Sequence, residues 1–222
     1  MRGLDRPKDI AEGIGGAAIM LAAFSTPFLR RARSRWGVDA ATAARTFPGD
    51  DLVPAPRWSW THGIEIEAPA GDVWPWVAQV GADRGGFYSY QWLENIAGCG
   101  VRNAGAIHPE WEVREGDGLS VHPRMPRLPI VSLACGRHFV AYGAPDEAAR
   151  AAGRPWVAVT WLFLVEPLGD RRCRFVSRYR CASSDDLWTR LAFGPTLIEP
   201  IGFAMDRRML LGVKRHAEWA NR

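Results

Sequence analysis

Two adjoining stretches near residue 170 constrain the fold of this chain more than any other feature. Residues 157–165, VAVTWLFLV, are apolar almost throughout, as expected of a strand covered on both faces. Residues 173–181, CRFVSRYRC, alternate instead. Cys173, Phe175, Ser177, Tyr179 and Cys181 fall on one face, and Arg174, Val176, Arg178 and Arg180 on the other. Pro167-Leu168-Gly169-Asp170 supplies turn residues between the two runs. The pair predicts a long antiparallel hairpin inside a sheet. Shorter strands are expected at 118–122, 129–134 and 137–142. Ile64 and Ile66, alternating with Glu65 and Glu67, predict a strand over 61–68 that ends at Pro69.

Three helices accompany these strands. In GDVWPWVAQVG (71–81), Val73, Trp76, Val77 and Val80 share one face, and Gly81 is a stop. SYQWLENIAG (89–98) predicts a second short helix, with Ser89 as its cap and Gly98 as its end. Over about 200–220, Met205, Met209, Val213 and Ala217 form a stripe, which predicts a long amphipathic helix packed on the sheet. Residues 36–60, with three prolines in FPGDDLVPAP, read as an irregular connector, and 99–115 as a loop. The expected class is α+β: one domain over 61–222, preceded by the connector and an apolar segment over 1–35.

That apolar segment contains seventeen uncharged residues, Gly13–Leu29, followed by Arg30, Arg31, Arg33 and Arg35. Its length is at the lower edge of a membrane span, and its Gly, Ser, Thr and Pro content is poor for one. Asp5, Asp9 and Glu12 ahead of it, and the lack of a small-residue cleavage site, argue against a signal peptide. Two readings stay open: a helix lying on the domain or at a membrane interface, or a marginal anchor. If the segment spans, the arginines keep the domain on the cytoplasmic side; the expected location is the cytoplasm, with attachment to the inner face of the membrane as the open alternative.

The net charge is +4, but the arginines are spread along the chain rather than gathered into a patch, which disfavours nucleic-acid binding. Cys99, Cys135, Cys173 and Cys181 form no CxxC pair and suit reduced, buried thiols. No ligand spacing marks a metal site, no phosphate loop or nucleophile elbow is present, and no cofactor is expected. The 11 Trp are many for 222 residues and suit a thick core or a roomy aromatic pocket.

The element order, together with PGDDLV (48–53), IEIEAPAGDVWPWVAQVG (64–81), DRGGFYSYQWLENIAG (83–98), NAGAIHPEW (103–111) and EGDGL (115–119), resembles the SRPBCC superfamily, the START-like or polyketide cyclase-like helix-grip proteins. The resemblance spans roughly residues 48–220. It implies a curved antiparallel sheet wrapped around the C-terminal helix, two short helices after the first strand, and a cavity between them that binds lipids, polyketides or other apolar compounds. It carries no common catalytic motif.

Expected cavity residues are Trp76, Tyr88, Tyr90, Trp92, Glu94, Asn95, Trp111, Tyr179, Met205 and Met209: rings for apolar area, and phenol, carboxyl and carboxamide groups for orientation. His108 and Tyr90 are the candidates for acid–base chemistry, with Glu94 and Glu110 as partners of His108. Each has a plainer reading. HPEW can be a structured turn, the two methionines can be core, and the rings near Gly85-Gly86 can pin a helix to the sheet. The Arg174, Arg178 and Arg180 face is expected to be outer and solvated. Binding or carriage of an apolar small molecule is the leading function. A cyclase-, dehydratase- or hydrolase-type enzyme and a protein-interaction module are the alternatives. Oligomeric state is not legible.

Overall fold

The computed structural model describes residues 7–220. In chain order the elements are α1 (Pro7–Ser25), α2 (Arg30–Arg33), α3 (Ala40–Ala44), β1 (Trp58–Ile66), α4 (Ala70–Ala78), α5 (Gln91–Ile96), β2 (Gly118–Leu119), β3 (Leu128–Ala134), β4 (His138–Gly143), α6 (Glu147–Ala151), β5 (Val157–Gly169), β6 (Arg172–Ser183), α7 (Leu187–Phe193) and α8 (Ile198–Ala220). The strands form one antiparallel sheet in the order β1-β6-β5-β4-β3-β2. The hairpin predicted from residues 157–181 is β5–β6, and it lies at the centre. Burial tracks the sequence: VAVTWLFLV contributes to both faces of the sheet because both are covered.

The inner face packs on α8 and α4. Phe139, Phe163 and Phe175, from three strands, meet Val73 and Val77 of α4 and Met209, Leu210 and Val213 of α8, all essentially inaccessible to solvent. Each such side chain contributes roughly 1.5–3 kcal/mol by burial. The α8 stripe read from the sequence is the one that faces the sheet. Two glycines let α8 come close: a Cβ on Gly202 would lie 2.6 Å from the Trp60 ring, and one on Gly212 would lie 2.5 Å from the Tyr88 carbonyl oxygen.

The connector corrects the expectation for 36–60. It contains α3, capped by the Asp39 carboxylate on Thr42 N–H, and it ends inside β1, which begins at Trp58. It also covers the outer face of the sheet, where Phe47 packs with Val140, Leu162, Leu164 and Val176. The arginine face of β6 is outer, as expected, but Arg178 is not solvated. Its guanidinium grips both oxygens of Asp50 at 2.8 and 3.0 Å and donates to the Ala43 carbonyl and Thr61 Oγ1. Arg180 donates to the carbonyls of Val53 and Pro54. Asp50 in PGDDLV therefore straps the connector to β6.

α6 and α7 were not anticipated. Each is too short to show a helical period, and each is started by an aspartate, Asp146 and Asp186, that accepts from the backbone N–H three residues on. Ser89 is not the cap of α5; Tyr90 holds that position and the Ser89 hydroxyl donates to the Met205 carbonyl. The strand expected over 118–122 is cut to two residues because Ser120 turns its carbonyl to Ala82 N–H in the neighbouring loop. Cys173 and Cys181 are buried free thiols, whereas Cys135 is exposed in the β3–β4 turn, against expectation.

α1 lies on α8 and α5. Its inner side is made of glycine: a Cβ on Gly13 would stand 2.4 Å from the Trp92 ring, and one on Gly16 2.8 Å from the Tyr90 ring. Its outer side, with Ile14, Leu21 and Phe24, is apolar and exposed, as are Phe28 and Leu29 just beyond. Among the described residues no single helix is long and apolar enough to cross a membrane; Ile10–Ser25 and Pro27–Arg33 reach that length only as a pair bent by 92°.

Candidate functional site

A cavity of about 170 Å³ lies between the sheet, α5 and α8. Its apolar wall is Trp60 of β1, Trp161 of β5, Phe87 and Val121 from loops, and Gly202, Met205 and Met209 of α8. Ser89, Glu94, Cys99 and Asp206 complete it. Glu94 of α5 is in this wall, whereas Trp92 of α5 and the capping residue Tyr90 pack against glycines 13 and 16 of α1.

Glu94 is 7% exposed, and its Oε2 has no hydrogen-bond partner among the described residues. Burial alone raises its carboxyl to about 7. Burial, and then the Glu94 carboxyl, also push the Cys99 thiol upward. Trp60 is the second orphan. Its Nε1–H is buried without a partner, while its ring stacks between Tyr179 and His62.

Behind Asp206 a network crosses the core. Trp161 Nε1–H donates to Ser177 Oγ at 2.9 Å. The Ser177 hydroxyl donates to Asp206 Oδ1 at 2.7 Å, and Asp206 Oδ2 is 2.5 Å from His62 Nδ1. Indole N–H can only donate, so the Ser177 hydrogen must point at Asp206, and Oδ1 is an acceptor. Ser177 and His62 are cross-strand partners on β6 and β1, at the level where α8 presents Asp206.

Of the residues expected in the cavity, Glu94, Met205 and Met209 are in its wall. The others pack elsewhere. Tyr88 is buried at φ 53, its phenol accepting from Gln79 Nε2 and its N–H donating to Asn103 Oδ1. Burial raises its phenol well above the ordinary tyrosine value. Trp76 stacks on His216, and burial followed by the neighbouring Arg215 charge lowers that imidazole. Asn95 closes the turn after α5 by two hydrogen bonds to the backbone of Val101. Tyr90 and Trp92 hold α1. Tyr179 sits in an aromatic stack with Trp58 and Trp60, beside the cavity rather than in it.

His108 and Trp111 form the structured turn that was the plainer reading of HPEW. Their rings stack at 4.1 Å, the imidazole is partly exposed 3.3 Å from Glu110, and the His108 N–H donates to the buried Gln79 Oε1. Glu94 is not in that cluster. Among the described residues no group of three or more His, Cys, Asp or Glu could hold a metal ion.

Sequence reasoning did not single out Trp60, Trp161, Asp206, His62 or Ser177 for the site. His62 and Ser177 carried a readable signal, since each puts a polar residue on the inward face of an otherwise apolar strand.

A curved antiparallel sheet holding a long C-terminal helix, with two short helices after the first strand, is a helix-grip fold, so the resemblance read from the sequence holds at the level of fold. Solved structures share this likeness at low identity. A conserved protein from Geobacillus kaustophilus is 10% identical over 73% of this chain and 97% of its own, with a TM-score of 0.41. The Zhui aromatase/cyclase of a Streptomyces strain is 12% identical over 74% of this chain and 96% of its own, at 0.33. Norcoclaurine synthase from Thalictrum flavum is 12% identical over 76% and 93%, at 0.31. These likenesses concern fold alone. No family model matches the chain, and no curated protein matches it.

Proposed function

We propose that this protein binds an uncharged, ring-sized apolar molecule in the cavity under α5. One observation carries the reading: an apolar, aromatic-walled space of about 170 Å³ lined by Trp60, Phe87, Trp161, Met205 and Met209. The volume sets the size. An apolar cavity of about 150 Å³ accommodates benzene, whereas drug-sized ligands occupy roughly 300–1,000 Å³. A lipid or polyketide chain would have to displace α5 and α1. The test is calorimetric titration with ethylbenzene and acetophenone, with stoichiometry from native mass spectrometry. One-to-one binding that Val121→Phe abolishes in a folded protein is expected. Failure of both probes to bind overturns the reading.

We also propose that the outer side of α1 rests on an anionic membrane surface. The support is an exposed apolar face, Ile14, Leu21, Phe24, Phe28 and Leu29, followed by the exposed arginines Arg30, Arg31 and Arg35. Each basic residue near such a surface contributes about 1 kcal/mol. Co-sedimentation with phosphatidylglycerol-containing vesicles, lost in Leu21→Ser/Phe28→Ser, is the expected result. Protein left in the supernatant with these vesicles overturns the proposal.

A further inference from the structure

α7 departs from the habit of surface helices, which bury one face. Leu187, Trp188, Leu191 and Phe193 are exposed, Trp188 to 77%, and Thr189 alone of its seven residues is buried. Leu197, in the turn to α8, is exposed as well. The backbone is nonetheless firmly held. Asp186 accepts from the Thr189 N–H at 2.9 Å and from the Ser184 hydroxyl at 2.6 Å, and the Phe193 carbonyl accepts from Trp58 Nε1–H at 2.9 Å. The fold thus fixes the helix and leaves its apolar side chains in water. Such side chains gain by transfer to an apolar environment, and a cluster of them marks an interaction surface.

Arg33 ties this patch to the corner after α1. Its guanidinium donates to the two Glu199 oxygens at 3.0 and 2.9 Å, and to the Thr26 carbonyl and Oγ1 at 2.7 and 3.0 Å. Glu199 stands two residues after Leu197, and Thr26 two residues before Phe28. The exposed Phe28 and Leu29 and the α7 patch therefore flank one buried ion pair. The charges around them share one sign. Arg190 is the one charged residue between 187 and 198, and Arg30, Arg31 and Arg35 are exposed beside the Phe28 corner. Asp185, ahead of the helix, is paired with Arg57 at 2.7 Å. Apolar side chains with cationic flanks fit an anionic bilayer. A second copy docked about a twofold axis would set the same arginines against one another.

We propose that α7 and the turn after it, residues 187–197, enter the surface of an anionic bilayer together with Phe28 and Leu29, so that the protein docks through two elements clamped by the Arg33–Glu199 pair. The proposal rests on the membrane reading of α1 for the identity of the surface and adds a second contact remote from it in sequence. Trp188 is the anchor, because an indole combines a large apolar area with one N–H and suits the boundary between acyl chains and headgroups. Arg190, on the same helix, meets lipid phosphates. Arg33 is a positioning residue, holding the corner to the start of α8 and touching no lipid. α8 leaves this surface at Ile198 and carries Met205 into the cavity wall, about 10 Å along the helix from the docked turn.

The experiment uses the full chain and vesicles of phosphatidylcholine and phosphatidylglycerol with brominated acyl chains, which quench tryptophans that enter the apolar layer. Trp219 is equally exposed at the far end of α8, about 30 Å from the docked turn, and serves as the control. The bound parent should lose part of its tryptophan fluorescence, Trp188→Phe should lose far less, and Trp219→Phe should behave as the parent. In co-sedimentation, Trp188→Ser/Leu191→Ser should weaken vesicle affinity about tenfold or more, since both side chains forfeit their burial in lipid. Both positions are in solvent, so the double variant keeps its fold, which circular dichroism checks. Quenching in Trp188→Phe equal to the parent's, or undiminished vesicle binding by the double variant, overturns the role of α7 and leaves the α1 reading standing. Parent protein that stays in the supernatant overturns both. A dimer that the double variant dissolves, with no vesicle binding by the parent, gives the patch to a second copy and likewise overturns the proposal.

Discussion

His62 Nδ1 lies 2.5 Å from Asp206 Oδ2, and both side chains are almost wholly buried. This contact ties β1 to α8 across 144 residues of sequence, with Ser177 as a third partner. A buried pair of this kind stabilises little over an apolar pair of the same shape, but removing one member leaves the other unpaired. Asp206→Ala should therefore lower stability by about 3–5 kcal/mol in urea unfolding. His62→Phe/Asp206→Leu should be markedly less destabilised than the two single changes added together. A double variant as unstable as that sum would show that the pair is not coupled.

Glu94 makes a prediction about pH. Its carboxyl is raised from an ordinary value of 4.5 to about 7. The folded state thus holds a proton that the unfolded state releases, and this contribution is fully present below pH 4.5 and lost as pH rises through about 7. Two to three pH units of difference correspond to roughly 3 kcal/mol. Between pH 5 and 8, Glu94→Gln should show a flatter fall in stability than the parent, measured by denaturation at each pH. Parallel curves would mean that Glu94 titrates as an exposed carboxylate.

The Arg178–Asp50 clasp is the reason the connector lies on the sheet. Arg178→Met should release Asp50 and expose Phe47 and Val140, at a cost of about 3 kcal/mol. Arg178→Lys should recover little, because one ammonium cannot bridge both Asp50 oxygens together with Thr61 and Ala43. Faster amide exchange over residues 40–53 would report the release.

Gly16 separates helix propensity from packing. Leucine there raises intrinsic helicity by close to 1 kcal/mol. A Cβ at this position nevertheless lies 2.8 Å from the Tyr90 ring. Gly16→Leu should therefore lower the melting temperature, and trypsin should cut sooner at Arg30 and Arg31. An unchanged digestion pattern would mean that α1 accommodates the side chain without lifting off α5.

Much of this protein was written in local pattern. The β5–β6 hairpin, α4, α8 and the first strand follow from period-two and helical spacing, because such spacing sorts residues onto faces before any partner exists. Met209 was legible for the same reason, lying with Met205 on the apolar stripe of a predicted helix, whereas Glu94 was expected only because the resemblance sets its stretch beside the cavity. Tertiary structure decided the rest. Asp206 gives no sign in the sequence of being a buried carboxylate; only the docking of α8 brings it to Ser177 and His62. Trp60 fell in a segment read as irregular, because Pro48, Pro54 and Pro56 ahead of it disfavour regular structure. Tyr90 and Trp92 turned to α1 rather than to the cavity because glycines 13 and 16 leave room for their rings. Arg178 is buried because a distant aspartate folds over it. Periodicity tells which side of an element is apolar, while the identity of its neighbour depends on contacts between residues a hundred or more positions apart, and those exist only once the chain has packed.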